Sequence, residues 1–172
     1  MEALFIEEND ICSAIVPVNF ATAANNGDWI SLRNHRSAVI VLFKGAGTAG
    51  DDPVFTLQQA KDAAGTGAKA LNFTRVDYKA GTLTGVGQWT KLTQTAANTF
   101  NGLAGATGDI GLAEKEAIIV VEVRATELDV TNNFCFVQLS VPDVGTNSQI
   151  GAGLVILRDA AYKGEPNVSA LA

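Results

Sequence analysis

From Ala117 to Ala125 the chain alternates without a break: Ala117, Ile119, Val121, Val123 and Ala125 fall on one side, while Glu122 and Arg124 fall on the other. A two-residue period is the mark of an extended strand, whose successive side chains point to opposite faces; a helical repeat of 3.6 would scatter that row around its axis. One face of this strand is therefore expected to be buried. Asn133 to Val141 repeats the pattern, with Cys135, Val137, Leu139 and Val141 in one row and Phe134, Phe136, Gln138 and Ser140 in the other. Pro142 then ends the ladder, because it has no N–H to donate. Phe134 and Phe136 need cover of their own. Ser37 to Phe43 is apolar on both faces, which suits an interior strand. Asp28 to Arg33 sets Ile30 and Leu32 against Trp29, Ser31 and Arg33, and the short Asn34-His35-Arg36 step predicts an antiparallel hairpin with the strand that follows.

Further strands are predicted at Ile11 to Val18, Val54 to Ala60, Lys69 to Tyr78, Thr82 to Thr95 and Gln149 to Arg158, between clusters of Gly, Asn and Asp. Thr56 to Ala64 is ambiguous, since Leu57, Ala60 and Ala64 also fit one helical face with Gly65 as a stop; strand followed by turn is the preferred reading. Asn101 to Glu116 reads as Gly-rich and then helical for a turn or two. Many short strands at turn-punctuated intervals, with no long helices between them, point to an all-β fold: an antiparallel β-sandwich or a jelly-roll-like barrel with little helix. At 172 residues one core suffices. The expected organisation is an N-terminal docking arm over residues 1–10, a β-sandwich over 11–160 and a C-terminal tail over 161–172, the two ends carrying isolated Leu, Phe, Ile and Tyr side chains without alternation.

Chemistry is limited by what the chain lacks. Cys12, Cys135 and the single histidine, His35, cannot supply four protein ligands to zinc. Both cysteines read as small buried hydrophobes inside strands, with no disulfide needed, and His35 reads as a surface side chain in a polar turn. Gly45-Ala46-Gly47-Thr48-Ala49-Gly50 matches the spacing of a dinucleotide loop, yet Asp51 and Asp52 stand where an anionic phosphate would sit, so a flexible turn is the better reading. Asp51 and Asp52, or Glu127 and Asp129, fall short of the oxygens a calcium ion needs. A pair of carboxylates for glycosidase work carries no information among eighteen acidic residues, and no G-x-S-x-G elbow occurs. No catalytic residue, metal or cofactor is expected. The net charge of −6 opposes binding to nucleic acid and to anionic membranes, whose affinity comes from Lys and Arg. Trp29, Trp89, Tyr78 and Tyr162 are accordingly expected in core or interface. The first ten residues have no basic region or long apolar run, and no stretch reaches a membrane span, so a soluble protein made in the cytoplasm is expected. Charged residues make up only 17% of the chain, which leaves a neutral surface suited to contact with protein.

The block from Asp28-Trp29-Ile30-Ser31-Leu32-Arg33-Asn34 through Gly45-Ala46-Gly47-Thr48-Ala49-Gly50-Asp51-Asp52-Pro53 to Gln58-Gln59-Ala60 and Gly65-Thr66-Gly67-Ala68-Lys69-Ala70-Leu71 resembles head-associated cement or decoration proteins of tailed bacteriophages. Asp143-Val144-Gly145-Thr146-Asn147 and Ala152 to Leu157 extend the likeness, which spans roughly Pro17 to Tyr162 and rests on turn and strand residues. The resemblance implies a β-sandwich or jelly-roll module on the outer surface of the virion that binds the major capsid protein, bridges capsomers and self-associates as a dimer or trimer. Expected contacts are Leu4, Phe5 and Ile6 of the arm, Tyr162 of the tail, and the strand face of Trp29 and Arg33, since aromatic and Arg anchors dominate interface energies. A tail-tube, head-completion or receptor-binding component is the alternative, and a carbohydrate-binding module a more distant one.

Overall fold

A computed structural model describes residues 4–48, 53–81, 87–100, 112 and 114–161. After a single helical turn, α1 (Phe5–Glu8), the chain forms β1 (Asp10–Asn19), β2 (Asn25–Asn26), β3 (Ile30–Ser31), β4 (His35–Lys44), β5 (Phe55–Ala60) and β6 (Lys69–Ala70). It continues with β7 (Phe73–Gly81), β8 (Thr90–Ala97), β9 (Thr99–Phe100), β10 (Glu116–Arg124), two 3-10 turns at Ala125–Glu127 and Val130–Asn132, β11 (Phe136–Val141) and β12 (Ile150–Ala160). The strands make two antiparallel sheets. The larger runs β1-β12-β4-β10-β7-β8; in the smaller, β2 and β3 flank one side of β11, β5 flanks the other, and β6 and β9 add to the far side of β5. The protein is an all-β sandwich of two open sheets, and the barrel alternative does not hold.

The alternating rows become the core. Ala117, Ile119, Val121 and Val123 of β10 lie beside Ala38, Ile40 and Leu42 of β4 and Val155 and Leu157 of β12, and they meet Leu57 of β5 and Val137, Leu139 and Val141 of β11 from the other sheet. Phe55 stacks on Phe73 at 5.7 Å and packs against Phe100 at 5.3 Å, closing the far side. Between β2 and β3, Gly27 threads the seam where the sheets approach: its N–H donates to the Leu139 carbonyl at 2.9 Å, and the next N–H, of Asp28, donates to the Ala14 carbonyl at 3.1 Å. Thr56 to Ala64 is strand then turn, as preferred. Asp62 accepts the N–H groups of Ala64 and Thr66 at 3.0 Å each, and Gly65 takes φ of +77°, a left-handed conformation that glycine adopts without steric penalty.

Four expectations are corrected. The Asp28–Arg33 stretch does not pair with β4: β3 lies on β11, with Ile30 opposite Val137, while β4 has β10 and β12 on its two sides. The step at Asn34 is thus a corner between sheets, held by the His35 N–H on the Leu32 carbonyl at 3.1 Å and the Leu32 N–H on the Cys135 carbonyl at 2.8 Å. Lys69 to Tyr78 is two strands in two sheets, because Leu71 turns into the core and donates its N–H to the Leu57 carbonyl. His35 is not a surface side chain; as the first residue of β4, opposite Ala160, it is only 8% exposed. Cys135 sits just before β11 and is half-buried, whereas Cys12 is buried within β1 as expected. Residues 82–86 of the predicted Thr82–Thr95 strand, most of Asn101 to Glu116, the loop carboxylates Asp51 and Asp52, and Tyr162 lie outside the described residues. Where 114–116 are described they form a turn entering β10, with the Lys115 N–H on the Leu112 carbonyl.

Candidate interaction surfaces

Glu127, Asp129 and Cys12 are engaged in holding turns and filling space. Glu127 accepts the Arg124 N–H at 2.8 Å, capping the 3-10 turn. Asp129 is bound by the Lys69 ammonium at 2.5 Å and by the Asn132 amide at 2.8 and 2.9 Å, and these contacts hold its carboxyl below the usual carboxylate range. Burial and the nearby Asp10 carboxylate push the Cys12 thiol up to about 11, so it stays protonated at neutral pH, in the form that is not a nucleophile. Among the described residues no three His, Cys, Asp or Glu side chains gather in a way that would hold a metal ion. No described helix is long and apolar enough to cross a membrane.

On the smaller sheet the second row of β11 receives its cover. Phe134 and Phe136 are both buried yet outside the central core. Lys69 and Lys61 place their ammonium groups 4.1 and 5.4 Å from the centre of the Phe134 ring, and the Arg33 guanidinium lies 5.8 Å from that of Phe136. Such cations gain from the negative ring face while their alkyl stems shield it from water. Arg33 also points its Nε at Cys135 Sγ, 3.1 Å away. Trp29 is half-buried and lies against the turn at Gly65, where even a Cβ would come within 2.7 Å of its indole nitrogen. A cleft of about 410 Å³ opens at this end of the sandwich, lined by Arg33, His35, Cys135, Leu128, Val130 and Phe134.

Of the expected contact residues, Leu4, Phe5, Ile6 and Arg33 lie toward one end of the larger sheet, and Tyr162 is outside the described residues. Leu4, at the N-cap of α1, and Phe5 and Ile6 within it are exposed, beside the start of β1, which pairs through Asp10 with Leu157 near the end of β12. Arg33 stands at the neighbouring corner, where the Ala161 N–H donates to the Asn34 carbonyl at 2.7 Å. Trp29 belongs instead to the flank of the smaller sheet.

What the alternation argument missed is the outer face of the larger sheet. The sequence reading assigned Glu122 and Arg124 to the second side of β10, but Ile118 and Val120 share that side. In register with them lie Val39, Val41 and Phe43 of β4, then Ala152, Leu154 and Ile156 of β12, then Ile11 of β1. Phe43 is 46%, Leu154 42%, Ile11 48% and Ile150 56% exposed. A groove of about 260 Å³ runs between Phe43, Ile150 and Pro17 at one end of this face. The signal was present: both parities of β4 and β12 are apolar, which in a two-layer fold leaves one of them without a sheet to pack on.

His35 shows how burial tunes this end. Its Nε2 has no hydrogen-bond partner, and burial pulls the imidazole below its ordinary value, opposed in part by the charge of Asp10. The unfolded chain then takes up a proton that the folded chain resists, so stability held above about pH 6.5 is lost as pH falls below it. Thermal midpoints should drop between about pH 7 and 5 in the native protein and drop less in His35→Gln, whose side chain does not titrate; parallel curves would exclude His35 as the cause. The low-lying Asp62 and Asp129 carboxyls act in a separate window, below about pH 4.

Compared with protein-family models and with curated proteins, the chain matches none.

Proposed function

We propose that the protein is a non-enzymatic structural subunit of a phage virion, a cement or decoration protein that binds the major capsid protein on the outer surface of the head and stabilises contacts between capsomers. The observation that carries the reading is the apolar outer face of the larger sheet, on which Phe43, Leu154, Ile11 and Ile150 are exposed. Apolar sheet faces of this kind are surfaces for protein contact. The net charge of −6 favours a position outside a shell filled with DNA, where like charge would be repelled. The exposed Leu4, Phe5 and Ile6 at the start of the described chain fit an arm that gains affinity through many copies on one lattice. The likeness to head-associated proteins points the same way.

Heads assembled with the protein should withstand heating or osmotic shock that ruptures heads lacking it, and the protein should sediment with intact heads. Unchanged rupture together with no particle-bound protein would end the reading.

A further inference from the structure

We infer that the cleft between the β3–β4 corner and the two 3-10 turns binds a carboxylate carried on an apolar body, with the Arg33 guanidinium as its anchor. The cleft holds about 410 Å³, the size of pockets that enclose small ligands. Leu32, Leu128, Val130 and Phe134 supply apolar walls, while Arg33, His35 and Cys135 supply polar groups. Three pieces of chain meet to form it, and backbone bonds hold them in place. The Leu32 N–H donates to the Cys135 carbonyl at 2.8 Å, and the Phe134 N–H donates to the Asp129 carbonyl at 3.1 Å. The walls are therefore formed before any ligand arrives, which lowers the ordering cost of binding.

Two polar groups of the cleft lack partners. Arg33 Nε is fixed on Cys135 Sγ at 3.1 Å, but the two terminal nitrogens of the guanidinium have no hydrogen bond and no ion pair among the described residues. A guanidinium held through Nε leaves those two donors in one plane, the geometry that a carboxylate accepts side by side. His35 lines the same cleft, is only 8% exposed, and has an Nε2 with no hydrogen-bond partner. A buried polar atom in that state carries a cost that a ligand oxygen relieves by accepting its proton. Charge then selects the ligand. Arg33 is the only charged side chain lining the cleft among the described residues. Asp129 nearby is taken up by Lys69 and Asn132, Glu127 accepts the Arg124 N–H, and Asp10, whose charge reaches His35, accepts the Ile11 N–H. A cation would meet Arg33, and a metal would find Cys135 and His35 too few. An uncharged apolar ligand would strip water from the guanidinium without replacing it. One guanidinium balances one negative charge, which matches a monocarboxylate whose body lies on the apolar walls.

The cleft lies apart from the outer face of the larger sheet, so its test does not depend on binding to heads. 4-Phenylbutyrate titrated into the full chain, followed by NMR or calorimetry, should bind saturably with a dissociation constant between about 10 μM and 1 mM. Its uncharged amide, and acetate, which has the charge without the apolar body, should each bind at least about ten-fold more weakly. Arg33→Gln should weaken 4-phenylbutyrate at least about ten-fold with unchanged circular dichroism. Val130→Asp, at a wall position that is 56% exposed, should weaken it to a similar degree by adding a like charge. Lys79→Gln, which removes a cation set over Trp89 instead, should leave binding unchanged. Bound acid should also slow alkylation of Cys135 by iodoacetamide, read by peptide mass. A peptide ending in phenylalanine with a free carboxylate tests the other source of the same chemistry. If it binds more tightly than 4-phenylbutyrate the site takes a chain terminus, and if more weakly a small acid. Absence of saturable binding by both up to about 10 mM overturns the site, as does equal binding of acid and amide, or an Arg33→Gln variant that binds like the native protein.

Discussion

Gly27→Ala is expected to destabilise the protein by about 3 kcal/mol or more and to lower its thermal midpoint by roughly 6–12 °C. A Cβ at this position would sit 2.5 Å from the Ala14 carbonyl oxygen and 2.8 Å from the Leu139 carbonyl oxygen. Both are backbone atoms, one in an edge strand of the larger sheet and one in the central pair of the smaller, so no rotamer change relieves the contact. The backbone must shift, and with it the hydrogen bonds that Gly27 and Asp28 donate to those same carbonyls, as well as the bond from Gln138 Nε2 to the Gly27 oxygen at 2.7 Å. Gly87→Ala is the control, since its added methyl would find its nearest neighbour, Lys79 Cβ, at an ordinary 3.8 Å and should change stability by no more than about 0.5 kcal/mol. Equal midpoints for the two variants would mean that the seam between the sheets is not sterically closed at Gly27.

That glycine also marks the limit of what could be read before the structure. In Asn25-Asn26-Gly27-Asp28 it looks like any turn residue, and its demand for space comes from carbonyls more than a hundred residues apart in one case, which no local pattern encodes. The β10 row was legible because each inward residue repeats the same decision at a two-residue interval, and β4 because both its faces are apolar. Sheet membership was not. A hairpin and a corner between sheets use the same short polar step, so Asn34 gives no sign that Ile30 pairs with Val137 rather than with β4, and Leu71 gives none that it divides a strand in two. Phe134 and Phe136 were seen to need cover, and the Arg33 guanidinium, expected at an interface, lies over the Phe136 ring of its own chain. The outer face of the larger sheet escaped because a strand apolar on both sides reads as interior to a protein, when here it is interior to a sheet and open on one side.

Lys44 is the sharper case of a residue whose role depends on parity, and its removal is the second large effect expected. It continues the inward row Ala38, Ile40, Leu42 and is fully buried, although a lysine closing an apolar run would ordinarily turn to solvent. Its ammonium donates to the carbonyls of Leu112 at 3.0 Å and Lys115 at 2.6 Å, tying the approach to β10 against the end of β4. Two opposing quantities decide what Lys44→Met does. Replacing a buried charge by an apolar side chain of similar length recovers its desolvation, and where both partners of a buried polar pair are exchanged the outcome is often neutral. Here one partner stays: the carbonyl oxygens remain where Leu112, 1% exposed, is packed, and each charge-assisted bond to them contributes about 1.5–3 kcal/mol. The balance should fall at a loss of about 2–4 kcal/mol, read as a lower denaturation midpoint in urea with an unchanged slope. Hydrogen exchange should quicken first at the Lys115 amide, whose bond to the Leu112 carbonyl belongs to the turn that Lys44 holds. A Lys44→Met variant as stable as the native protein would show that this buried ammonium is tolerated at its place in the sandwich rather than required there.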